Sequence, residues 1–198
     1  MSLSLCLIYK LTEFKIEFMS KKLTPITGIS DIEVIKITDQ LDTLLSDYQV
    51  FFHKLQNFHW NIRGKQFYTL HEKFEMMYNR TIGAMDDVAE RIRFYGRLPT
   101  SRMSEWLKKS ELPECESMTT DGFIMYTLKR DLEHMITSMR SIVEMSDTSG
   151  DYVTADMLTS QLGDLQNDHW QVSAWLADSD HKLKAEDKET MDALAQHN

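Results

Sequence analysis

The 198 residues include only two cysteines, three prolines and seven glycines, so little in the chain cross-links or punctuates it. Cys6 and Cys115 lie far apart without metal-ligand spacing, which excludes a disulfide framework and a cysteine-based zinc site and suits a reducing cytoplasm. No run of about 18 uncharged apolar residues occurs, so no segment reads as a membrane span. Basic excess is also missing. Against 31 Asp and Glu there are 22 Lys and Arg, a formal net charge of −9. That balance excludes a surface built throughout to hold nucleic acid and suits a surface or cavity that attracts cations. The opening stretch MSLSLCLIYKLTEFKIEFM has an apolar patch but neither a basic n-region nor a small-residue cleavage site, so it does not read as a signal peptide. LSLC is only loosely like a lipoprotein box. The expectation is that translation starts at Met19, with the preceding residues an extension or a loose arm.

With so few breakers, long elements are expected, and 42% hydrophobic content supports one core rather than two. From Ser30 to Ile62, the residues Ile35, Leu41, Leu44, Leu45, Tyr48, Phe52, Leu55 and Phe58 recur at helical spacing, with Gly64 as a stop. Leu70, Phe74, Met77, Tyr78, Ile82, Met85, Ala89 and Ile92 repeat the pattern from about Phe67 to Tyr95. Thr69 and Glu72 have capping-box spacing, with a start two residues earlier as the alternative. Pro99 and Pro113 flank SEWLKKS, which predicts a long crossover carrying a short helix whose Trp106 and Leu107 pack on the body. Ile124, Leu128, Leu132, Met135, Met139 and Ile142 predict a third long helix after TTD. Val153, Met157, Leu158, Leu162, Leu165, Val172, Trp175 and Leu176 predict a fourth. Methionines and aromatic stripes are expected in the core. Four long helices with one long crossover make an all-α, ferritin-like four-helix bundle over residues 30–178, between an N-terminal arm (1–29) and a charged, weakly structured tail (179–198).

On the second helix, His71, Glu75, Asp86 and Glu90 are separated by 4, 11 and 4 residues and share one stripe. His71 and Asp86 are nonetheless about 22 Å apart along the axis, and Glu75 and Asp86 about 16 Å. A metal accepts bonds of roughly 2 Å. If these residues hold a common metal, the histidine half of one subunit must face Asp86 and Glu90 of another, with the second helices antiparallel about a two-fold axis. The plainer alternative is a solvated helix face, with Arg93 and Arg97 neutralising the carboxylates.

HWNIRG, FYTLHEKFE and DDVAERI together resemble the miniferritins, the DNA-protecting proteins of starved cells (Dps), and SGDYVTADML is similar to that family too. The resemblance implies that His59, His71 and Glu75 from one subunit, with Asp86 and Glu90 from another, form a ferroxidase centre for two iron ions. Family members usually carry Asp where this chain has Glu75, one methylene longer, which bears on the spacing and affinity of the two metal positions. It further implies that Fe(II) is oxidised preferentially by hydrogen peroxide and that Fe(III) is stored inside a hollow shell, a homo-oligomer of twelve subunits. Mixed imidazole and carboxylate ligands suit Fe(II), with zinc or manganese as competitors. Trp60 matches a family position beside the centre, where it either intercepts stray oxidising equivalents or packs an interface. Asp151, Asp156 and Asp164 fall where the family places acidic pores, and an ordinary acidic helix start explains Asp151 equally well.

Two rivals are distinguishable. A conventional di-iron bundle needs Glu-x-x-His pairs within one subunit, and none occurs; Asp131 with His134 and Asp178 with His181 are the nearest approximations. A DNA-compacting structural protein needs basic tails. Lys10, Lys15, Lys21 and Lys22 are diluted by Glu13 and Glu17, and Lys182, Lys184 and Lys188 are outnumbered by acids, so DNA binding is expected to be weak or absent.

Overall fold

A computed structural model describes residues 27–177. The long helices are α1 (Asp31–Asn61), α2 (Phe67–Phe94), α4 (Asp121–Thr148) and α5 (Tyr152–Leu176), and a short α3 (Met103–Lys109) rides on the crossover between α2 and α4. Among the described residues the fold is all-helical, the ferritin-like bundle expected. The arm before residue 27, the Met19 start and the tail lie outside them.

α1 begins at a capping box formed by Ser30 and Glu33. The Ser30 hydroxyl accepts from the Glu33 amide at 3.3 Å, and the Glu33 carboxylate accepts from the Ser30 amide at 3.4 Å. Ile29 packs on Val34 and Tyr95 as a hydrophobic staple at the same end. The box expected at Thr69 and Glu72 is not used: α2 starts earlier, at Phe67, without a side-chain cap.

Along α1, Val34, Ile37, Leu41, Leu44, Tyr48, Phe51, Leu55 and Phe58 are all buried. Their alternating three- and four-residue steps keep one seam against the neighbouring helices. Ile35, Ile82 and Val153, expected inside, are 44%, 48% and 65% exposed, while Thr81 takes an interior place by donating to the Met77 carbonyl at 2.9 Å. Met77, Met125, Met135 and Met139 are core, but Met76 and Met103 face outward.

α1 pairs with α2, and α4 with α5, while α1 also contacts α3 and α4. Polar groups of α1 hold the crossover. The Asp42 carboxylate accepts from the Thr100 amide (2.7 Å) and hydroxyl (2.8 Å) and pairs with Lys109. Asp47 Oδ1 accepts from Ser110 Oγ and from the amides of Glu111 and Leu112. Lys54 joins buried Asp131 at 2.7 Å and the Pro113 carbonyl at 3.1 Å. Trp106 is half-buried and donates to the Thr100 carbonyl, but Leu107, expected on the body, is 49% exposed. α2 is tied to α5 by buried Asp168, which receives both Lys73 and Arg80.

Candidate metal centre

The connection from α1 to α2 turns at Gly64, whose φ of +103° is the region glycine enters without steric cost. The tight return sets the last turn of α1 beside the first turns of α2, and with them His59 beside His71. Nδ1 of His59 lies 2.8 Å from the main-chain carbonyl of residue 71, and Nδ1 of His71 lies 2.7 Å from that of residue 59. A carbonyl only accepts, so each Nδ1 carries the proton and donates. In the neutral ring this leaves each Nε2 with a free lone pair, the tautomer a metal-binding imidazole needs.

Aromatic packing fixes the ring planes. The two imidazoles stack at 3.7 Å between centroids, with 19° between planes, and Phe67 stacks on His71 at 4.8 Å. Tyr78, assigned by periodicity to the core stripe, sets its ring edge on His59 at 5.4 Å and brings its hydroxyl to 3.5 Å from Glu75. Both histidines are half-buried, and Glu75, one turn beyond His71, is exposed.

Asp86 and Glu90 are exposed further along α2 and are not brought to His59, His71 and Glu75 within the chain. Neither has a hydrogen bond or ion pair among the described residues. Nearby arginines are engaged elsewhere. Arg91 turns inward to Asp151 at 2.6 Å, Arg93 donates to the Arg97 carbonyl, and Arg97 pairs with Asp39 at 2.7 Å. Arg93 and Arg97 therefore do not neutralise these carboxylates, which stand one turn apart with no cation partner among the described residues.

Asp151 is the N-cap of α5. Its carboxylate, buried, accepts from the Thr154 amide at 3.1 Å and the Tyr95 hydroxyl at 2.6 Å. Burial alone raises its carboxyl, but the hydrogen bonds from Thr154 and Tyr95 and the Arg91 guanidinium together hold it below the usual range. Asp151 thus closes a structural knot. Asp156 and Asp164 are exposed, and Asp164 lies 3.7 Å from Arg80.

Residues 38–180 match the ferritin-like domain family. The DNA protection during starvation protein of Porphyromonas gingivalis is 36% identical over 155 residues, 78% of this chain and 98% of that one. DNA protection during starvation protein 2 of Bacillus anthracis is 33% identical over 141 residues, 71% of this chain and 97% of that one. Among solved structures, the Dps protein of Vibrio cholerae O1, described as one of the ferritin-like diiron-carboxylate proteins, superposes with a TM-score of 0.74 at 29% identity, covering 77% of this chain and 96% of that one.

Proposed function

This chain belongs to the Dps family of ferritin-like proteins, and on that premise we propose that it is a miniferritin-type ferroxidase and iron-storage protein. The observation that carries the reading is the reciprocal histidine lock. It holds two Nε2 lone pairs ready for Fe(II), with the Glu75 carboxylate one turn away. His59, His71 and Glu75 are half of the centre, and the partner subunit's Asp86 and Glu90 are the other half. The absence of a cation partner for these two carboxylates among the described residues supports that role.

Fe(II) is the substrate. Two Fe(II) ions give one electron each, hydrogen peroxide takes both electrons and two protons, and two Fe(III) ions and two water molecules result. Pairing the electrons withholds the one-electron reduction that would release hydroxyl radical. Fe(III) then accumulates in a hollow cytoplasmic shell of about twelve subunits, with an acidic chain of net charge −9 favouring cation entry. Protection of DNA follows from removal of Fe(II) and peroxide rather than from compaction.

Exposed Trp60, Met103 and Leu107 line, with Trp106, a groove of about 360 Å³ along α1, next in sequence to His59. This apolar surface is the seat for the second copy. The test is peroxide-driven Fe(II) oxidation by the purified protein: activity is expected in the parent and collapse in both His71→Ala and Asp86→Ala. Full activity in both variants would refute the assignment.

A further inference from the structure

Away from the ferroxidase half-site, three ligand-type side chains from three different segments converge: Asp47 from α1, Glu111 from the crossover and His134 from α4. His134 Nε2 lies 3.2 Å from Asp47 Oδ2 and 3.7 Å from Glu111 Oε2. Ligands bound to one tetrahedral ion at about 2.0–2.1 Å are separated by about 3.4 Å, so the two spacings from His134 match edges of such a shell, and the three ligand atoms all lie within 4.8 Å of one another.

The group is graded in rigidity. Asp47 is fully buried, and its Oδ1 is held by Ser110 Oγ at 2.8 Å and by the amides of Glu111 (2.7 Å) and Leu112 (3.3 Å), which fixes the carboxylate plane and leaves Oδ2 turned to the group. His134 is 30% exposed and Glu111 64% exposed, so the mouth is open to an entering ion and to water as a fourth ligand. One imidazole and two carboxylates form a borderline donor set, suited to a divalent transition ion. The neighbouring acid of α4, Asp131, is occupied by Lys54 and does not compete for the site.

We propose that Asp47, Glu111 and His134 bind a divalent transition-metal ion of the zinc class within a single subunit, clasping the crossover to α1 and α4. Unlike the ferroxidase centre, this site needs no residue from a second copy.

Zinc is the probe. The full-length protein carrying His71→Ala and Asp86→Ala, which disables the other centre, is equilibrated with Zn(II), desalted and assayed for zinc per subunit. The same background with Glu111→Gln added, and separately with His134→Gln added, is treated alike. Glu111 is largely exposed, so its isosteric replacement leaves the fold in place. About one zinc per subunit is expected to be lost in each added variant, and crystals of the parent soaked in zinc are expected to show an anomalous peak between the three side chains. Equal zinc contents in all three proteins, or no peak there, would overturn the proposal.

Discussion

His59 and His71 are each held by the other's main chain, and that detail separates ligand loss from structural loss. Truncating His71 removes one Nε2 and one ring from the stack, but the carbonyl of residue 71 survives, so His59 keeps its hydrogen bond and its tautomer. His71→Ala is therefore expected to lower peroxide-driven Fe(II) oxidation at least about tenfold, the scale on which metal sites respond to a lost supporting or ligating group. Its folding stability should fall by only about 1 kcal/mol, the worth of the hydrogen bond given up to the residue 59 carbonyl. Stopped-flow oxidation and urea unfolding of the same preparation check the two parts. A loss of activity matched by several kcal/mol of stability would show that the histidine pair serves the fold rather than iron.

Between elements, the Asp151 knot joins α2 to α5 and has a pH signature on both sides. The carboxyl sits below its ordinary value of 3.8, so its stabilisation is complete above that pH and is lost as pH falls through the lowered folded value. Tyr95 is pushed up to about 12 from 10.0, first by burial and then by its bond to Asp151, so its contribution is complete below pH 10 and is lost as pH rises towards about 12. Unfolding titrations across pH should show a shallower acid limb in Asp151→Asn and a shallower alkaline limb in Tyr95→Phe. Asp151→Ala should cost about 3 kcal/mol or more at neutral pH, because it strands the largely buried Arg91 guanidinium. None of this was legible from spacing, which identified Asp151 only as an acidic residue near a helix start. The four long helices were legible, because breakers are few and apolar residues recur over many turns. The inward face was less so. Ile35, Ile82, Val153 and Trp170 are apolar yet exposed, and periodicity cannot distinguish a face packed within the chain from one offered outward. The site divides in the same way. Side chains on one helix stripe can be counted in sequence, whereas the histidine lock is made to main-chain carbonyls, which every residue carries, and the hold of Asp42, Asp47 and Lys54 on the crossover joins positions more than fifty residues apart.

At the scale of the whole molecule, the proposed function turns on net charge and assembly. With a charge of −9, phosphate contacts have to come from a few diluted lysines, so any complex with duplex DNA seen at low salt should dissolve at physiological salt in a gel-shift titration; a band that persists there would restore DNA compaction as a function. Assembly has the stronger consequence, because Asp86 and Glu90 stand too far along α2 to meet His71 of their own chain. In the proposed two-fold pair, each subunit would lend its histidine half to one centre and its carboxylate half to the other. When His71→Ala and Asp86→Ala proteins pair, both defects therefore fall in one centre and the second is intact. Random reassembly of equal amounts makes half of the pairs mixed, so about a quarter of all centres are expected to regain Fe(II) oxidation, against the residual rate of each variant alone. The measurement is oxidation rate against mixing ratio, with mass spectrometry verifying mixed particles. Activity should peak at equal amounts and fall to each variant's residual rate at either end. Mixed particles that stay inactive would mean that no centre is shared between subunits, and the spacing along α2 would then need another explanation.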